Sequence, residues 1–140
     1  ISSGWNLLSY PFKDTTAVSE IFPFAMPPVW AFDVETGYYR TLDSAFAGMG
    51  FWLFSLCDTT TAVHGANEAD TIEITMYPGW NLFGTSSISV PESTIIEHSE
   101  ILPPIFTFDS ETGLYISVDE LMPGYGYWIL AVDTVDITLP

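Results

Sequence analysis

Hydrophobic positions along this chain come in short runs closed by Gly, Pro or acidic turn residues, and no window holds helical spacing for the roughly 10–15 residues of a crossover helix. Trp5–Tyr10 and Trp80–Gly84 read as strands opened by Gly-Trp-Asn. A short helical signature follows each. Asp14-Thr15-Thr16 can cap Ala17–Phe22, and Ser93 or Thr94 can cap the stretch ending at His98, with Pro91 ahead of it. Pro27-Pro28 and Pro103-Pro104 are expected to end those helices and straighten the chain, because proline lacks an N–H and restricts the residue before it.

Two hairpins come next, Val29–Asp33 with Tyr38–Thr41 and Ile105–Asp109 with Leu114–Val118. Each loop reads Asp-x-Glu-Thr-Gly, the pattern of a type I turn closed by a left-handed residue. Gly48-Met49-Gly50 and Gly124-Tyr125-Gly126 mark a bend or a close backbone approach. Phe51–Leu56 and Tyr127–Val132 are apolar on both faces and are expected to be central strands. A Thr-rich strand closes each half, and residues 65–70 read as a linker between them.

The elements occur twice because the sequence does. Gly4-Trp5-Asn6-Leu7 returns 75 residues later as Gly79-Trp80-Asn81-Leu82. The stretch 27–39 returns at 103–115 with eight identities in thirteen, and Gly48–Trp52 returns as Gly124–Trp128. Three blocks in the same order at offsets of 75 or 76 establish a tandem duplication, residues 1–64 and 71–140. A half of this size buries its surface poorly alone, so the two halves are expected to form a single domain with a shared core. Trp5, Trp52, Trp80 and Trp128, at repeat-equivalent positions, are assigned to that core. The fold class is all-β with pseudo-twofold symmetry, a sandwich or partly closed barrel carrying a few short helical turns.

Composition narrows the partners. Apolar residues make up 48% of the chain and aromatics 16%, which excludes disorder. Eighteen acids face two bases, Lys13 and Arg40, for a formal charge of −16. That charge repels nucleic acid and anionic membranes, and no apolar run is long enough to span a bilayer. Cys57 is the single cysteine, so no internal disulfide forms, and its setting suggests a buried small residue.

The Gly-Trp-Asn-Leu opening, the Phe-Asp-x-x-Thr-Gly-x-Tyr hairpin and the Gly-x-Gly-Tyr-Trp close together resemble tandem β-modules of secreted and surface-layer-type proteins of bacteria and archaea. Half two matches with Trp80, Asp109, Thr112, Gly113, Gly126, Tyr127 and Trp128; half one matches with Trp5, Asp33, Thr36, Gly37, Gly50 and Trp52, with Phe51 in place of Tyr. The resemblance implies an extracellular location and no catalytic residues.

Candidate chemistry is sparse. Asp33, Glu35, Asp109 and Glu111 are the acids repeated in register, and hard oxygen ligands in a tight turn suit Ca²⁺. Two carboxylates per loop fall short of a calcium shell, so a turn-closing role is the competing account. Glu97, His98 and Glu100 do not share one helical face, and His64 sits alone. Trp30, Tyr38, Tyr39, Tyr115 and Tyr125 could stack on sugar, with Tyr38 and Tyr39 preferred because they adjoin a hairpin tip. No nucleophile motif occurs, and no enzymatic activity is expected.

The resulting expectation is a non-catalytic extracellular structural module that self-associates into a surface layer, filament or tandem array, polymerising by strand addition. The alternative is a carbohydrate-binding or adhesion module using the tyrosines, with calcium as a cofactor. Val135 and Ile137 belong to a C-terminal strand, 135–139, that repeats the pattern of 72–76. It is expected to lie beside half one, within the molecule or across to a neighbour.

Overall fold

The computed structural model describes residues 1–63 and 71–140; His64 and the expected linker 65–70 lie outside the described residues. In half one the elements are β1 (Gly4–Ser9), β2 (Thr16–Ala17), α1 (Val18–Ile21), β3 (Ala25–Asp33), β4 (Tyr38–Leu42), β5 (Ser44–Ala45) and β6 (Gly50–Ser55). Half two contains β7 (Ile72–Met76), β8 (Gly79–Gly84), β9 (Val90–Pro91), α2 (Ser93–Ile96), β10 (Ile101–Asp109), β11 (Leu114–Val118), β12 (Glu120–Leu121), β13 (Gly126–Ala131) and β14 (Val135–Leu139).

Each half builds one antiparallel four-stranded sheet, ordered β1-β6-β3-β4 in the first and β8-β13-β10-β11 in the second. The protein is all-β and its sheets stay open; no barrel closes among the described residues. The strands β6 and β13, apolar on both faces, are flanked on both sides as expected.

The prolines do not end the helices. Pro27-Pro28 and Pro103-Pro104 lie inside β3 and β10, both with cis peptide bonds, where pairing to the central strand shifts register between Met26 and Trp30 and between Leu102 and Phe106. A residue without an N–H fits where the ladder is interrupted. The expected caps are absent too. Ala17 and Glu92 occupy the N-cap positions, and neither makes a side-chain cap bond. Helices of four residues are held by packing, with Val18, Ile21 and Ile95 buried.

The halves do not share one core. One buried cluster belongs to half one, including Tyr10, Phe22, Phe51 and Leu53; another belongs to half two, including Met76, Phe83, Ile105, Ile129 and Leu139. Of the partly buried hydrophobic side chains packed against the second cluster, Ala47 is the one from half one among the described residues. The halves are joined instead by a backbone seam and by aromatic rings. Ser9 N–H donates to the Gly124 carbonyl at 2.9 Å, and Gly84 N–H donates to the Gly48 carbonyl at 3.0 Å. The bridges Leu8–Tyr125 and Met49–Phe83 flank them. Each of these contacts is the other's image when residue numbers are shifted by the repeat spacing, so a local twofold relates the halves.

Glycine makes the seam passable. A Cβ on Gly50 would sit 2.8 Å from the Phe83 carbonyl oxygen, and one on Gly126 would sit 2.8 Å from that of Leu8. These two glycines are twofold mates. The Gly-x-Gly signature is therefore a close approach of backbones across the axis.

The C-terminal strand is placed differently from the expectation. Val135 and Ile137 lie in β14, which pairs antiparallel with β7, Val135 opposite Met76 and Ile137 opposite Ile74. This ribbon covers the core of half two, with Met76, Ile137 and Leu139 fully buried. The strand thus closes its own half, because its apolar residues complete the layer that Ile72 and Met76 begin.

Candidate functional site

The sheet faces turned toward each other carry rings: Trp30, Phe32, Tyr39 and Trp52 from half one, and Phe106, Phe108, Tyr115 and Trp128 from half two. Strand alternation puts them on the faces opposite the two apolar cores. Across the axis, Phe32 meets Trp128 edge-on with centroids 5.0 Å apart, and Trp52 meets Phe108 in the same way at 5.0 Å. Edge-to-face pairs of this kind contribute about 0.5–1.5 kcal/mol each beyond area burial.

The rings do not fill the space between the sheets, and two twin clefts remain. One, of about 470 Å³, is lined by Trp5, Trp30, Tyr39, Trp52 and Phe108. Its mate, of about 410 Å³, is lined by the equivalents Trp80, Phe106, Tyr115, Trp128 and Phe32. Each cleft takes four rings from its own half and one from the other, so neither exists without the pairing of halves. Their volumes fall within the range of small-ligand sites.

All four tryptophans assigned to the core are wall residues of these clefts. Trp5 and Trp80 are 44% and 46% exposed, Trp52 is half-buried, and only Trp128 is buried. The residue that turns inward in Gly-Trp-Asn is the asparagine. Asn6 Nδ2 donates to the Ser2 and Gly4 carbonyls while its Oδ1 accepts from Ser2 N–H; Asn81 repeats the set with Tyr77 and Gly79. Gly4 and Gly79 sit at φ 97° and 106°, and the asparagine ties the resulting turn. Alternation then sends the neighbouring tryptophan to the opposite face, a signal present in the repeated Trp-Asn pair.

Tyr39 lines the first cleft and packs edge-on against Phe32 at 5.3 Å, whereas Tyr38 projects away. Tyr115 lines the second and approaches Trp52 across the axis. Burial raises the Tyr115 hydroxyl above its ordinary pKa, nearby Tyr39 adds to the rise, and the Trp128 indole offsets part of it. That indole nitrogen is buried and does not reach full hydrogen-bonding geometry with any partner. Tyr125 is exposed and belongs to the seam rather than the clefts.

The four repeated acids are used by their turns. Asp33 Oδ1 accepts from Glu35 N–H at 3.0 Å, and its carbonyl accepts from Gly37 N–H at 2.8 Å; Asp109, Glu111 and Gly113 repeat both bonds at the same distances. Gly37 and Gly113 have φ 73° and 72°, as the loop pattern requires. Glu35 and Glu111 are exposed, and no group of three or more acids, histidines or cysteines is placed to hold a metal among the described residues. Cys57 is exposed rather than buried, because β6 ends at Ser55 and the chain leaves the sheet there.

No helix of the described residues is long and apolar enough to cross a membrane. Compared with protein-family models, with curated proteins and with solved structures, the chain finds no match.

Proposed function

We propose that the protein is a non-catalytic extracellular structural module that assembles with other copies into an array or filament. The observation that carries this reading is the pair of uncovered edge strands. β4 and β11 are twofold mates, each with no strand on its outer side among the described residues. They expose Tyr38 and Tyr39 on one edge and Leu114, Tyr115 and Ile116 on the other. Unpaired backbone beside exposed apolar side chains is a template for adding another strand. Two equivalent edges per molecule permit propagation rather than a closed pair. Sedimentation velocity tests this. The wild type should grow in size with concentration, and Tyr38→Lys with Leu114→Lys should remain monomeric at an unchanged melting temperature. A wild type that stays monomeric into the millimolar range would overturn the reading.

A second reading, a carbohydrate-binding or adhesion module with or without calcium, would use the twin clefts. Their rings meet at steep angles instead of forming a coplanar platform, and they are lined by aromatic side chains alone, so they offer a sugar few hydrogen bonds. Tryptophan fluorescence titrated with oligosaccharides, with and without Ca²⁺, separates the two readings.

A further inference from the structure

All five tryptophans of the chain line the twin clefts, Trp5, Trp30 and Trp52 the first, Trp80 and Trp128 the second. The remaining lining side chains among the described residues are Phe and Tyr. Burial of apolar surface alone does not demand this. The same strands carry aliphatic residues on their other faces, Val29 on β3, Leu53 on β6, Ile105 on β10 and Ile129 on β13, each buried in a core. What a ring adds to an aliphatic group is a face of negative charge density that attracts a cation, strongest in Trp.

The walls stand at steep angles. Trp5 meets Trp52 at 89° and Trp52 meets Phe108 at 72° in the first cleft; Trp80 meets Phe106 at 55° and Phe32 meets Trp128 at 70° in the second. Rings so inclined form corners that enclose a compact group, whereas a sugar stacks on one flat platform. Trp5 and Tyr39 are exposed, as are their mates Trp80 and Tyr115, so both clefts open to solvent. Eighteen acids against two bases draw cations to the molecule. Arg40 adjoins Tyr39 on β4 but pairs with Ala31, a core residue, so strand alternation carries it to the sheet face away from the cleft. All-aromatic walls offer few hydrogen-bond acceptors. A primary ammonium would lose its bonds to water there without replacement, whereas a quaternary ammonium has no N–H to satisfy.

We propose that each cleft is an aromatic cage for a small quaternary ammonium ion, a free trimethylammonium compound of net positive charge such as choline. A lipid headgroup or a betaine carries an anionic group close to the ammonium, and a chain of net charge −16 repels it. The residue types of the two cages differ at one wall, Trp30 in the first against Phe106 in the second, so the first cage binds more tightly. The site does not depend on the assembly reading, and its ligand differs in class from the sugar of the second reading.

The probe is choline chloride, titrated into the full chain at constant ionic strength held with sodium chloride and followed by the indole N–H resonances. The signals of Trp5, Trp30 and Trp52 should shift in the low-millimolar range, and those of Trp80 and Trp128 at a severalfold higher concentration. The neutral isostere of choline, with carbon in place of the nitrogen, should bind about tenfold more weakly. Trp30→Phe should bring the first cage to the affinity of the second, and Phe106→Trp should bring the second to that of the first. Each exchange copies a wall present in the mate, and the ligand-free spectrum checks that the fold is kept. Equal binding of the isostere would make the clefts general apolar sites, and binding confined to phosphatidylcholine vesicles would assign them to a membrane; either overturns the proposal. Indoles that shift with oligosaccharide and ignore choline overturn it in favour of the sugar reading. Sedimentation of the same samples scores assembly separately. A monomer that binds choline sinks the assembly reading alone, and an assembling chain that ignores choline sinks the cage alone.

Discussion

Phe51 and Tyr127 occupy equivalent places in the two halves, both buried, and differ by one hydroxyl. The Tyr127 oxygen accepts from Met122 N–H at 2.6 Å. Burial, the largest cause, pushes its pKa from 10.0 up to about 12 against the opposing effect of that bond. A phenol whose folded pKa is raised stabilises the fold fully below pH 10 and loses that contribution as pH climbs through about 12, because the unfolded chain ionises first. The loss is on the order of 2 kcal/mol. Urea midpoints measured from pH 9 to 12 should fall steeply in the wild type. Tyr127→Phe should flatten most of that fall while lowering the neutral-pH stability by about 1 kcal/mol, the net worth of one hydrogen bond. Tyr115 titrates in the same direction, so a shallow slope should persist until Tyr115→Phe is added. A wild-type curve flat over this range would refute the account.

Among the elements, the strands and hairpins were legible and their punctuation was less so. Asp-x-Glu-Thr-Gly specified its turn because three residues act locally: an acceptor side chain, a carbonyl and a left-handed glycine. The prolines misled because proline ends a helix by a local rule, whereas its place within a register shift depends on a partner strand distant in sequence. The partner of Val135–Leu139 was equally non-local. Its apolar–polar alternation announces a strand with one buried face, and two equivalent sheets offered that face a place. The choice made is testable. Removing residues 134–140 uncovers Ile72 and Met76 and deletes the buried Ile137 and Leu139. At roughly 2–3 kcal/mol for each fully buried aliphatic side chain, the truncated chain should lose cooperative melting of half two. The fluorescence of Trp5 and Trp52 in half one should still report a folded environment at the onset of that loss. A truncated chain with an unchanged melting profile would show that the ribbon contributes nothing to the core.

For the whole molecule, the duplication was plain in the sequence, but the way its copies meet was not. A shared apolar core was the economical expectation for halves this small. The aromatic content instead gives each sheet a second apolar face, so each half keeps its own core and the rings form the join. Gly-x-Gly marked the place without identifying what approaches it, since the neighbour comes from the other copy. The approach is tightest on the axis, where Ser9 and Gly84 are twofold mates facing each other. A Cβ on Gly84 would lie 2.2 Å from Ser9 Cβ, while Ser9 Oγ donates to the Tyr125 carbonyl at 2.7 Å. Only one of the two positions can carry a side chain, and symmetry makes no distinction between them. Gly84→Ser alone should therefore force the seam apart and destabilise by about 1–3 kcal/mol or more. Ser9→Gly alone should cost about 1 kcal/mol through the lost bond. The exchange of the two, Ser9→Gly with Gly84→Ser, should recover most of the loss, because the new hydroxyl faces the Met49 carbonyl, the mate of Tyr125, whose oxygen lies 3.4 Å from the Gly84 Cβ position. Denaturant unfolding of the four proteins forms a double-mutant cycle, with a coupling expected at the upper end of the 0.5–3 kcal/mol seen for residues in contact. Additive effects would mean that the two positions do not compete for one space, and the twofold seam would have to be redrawn.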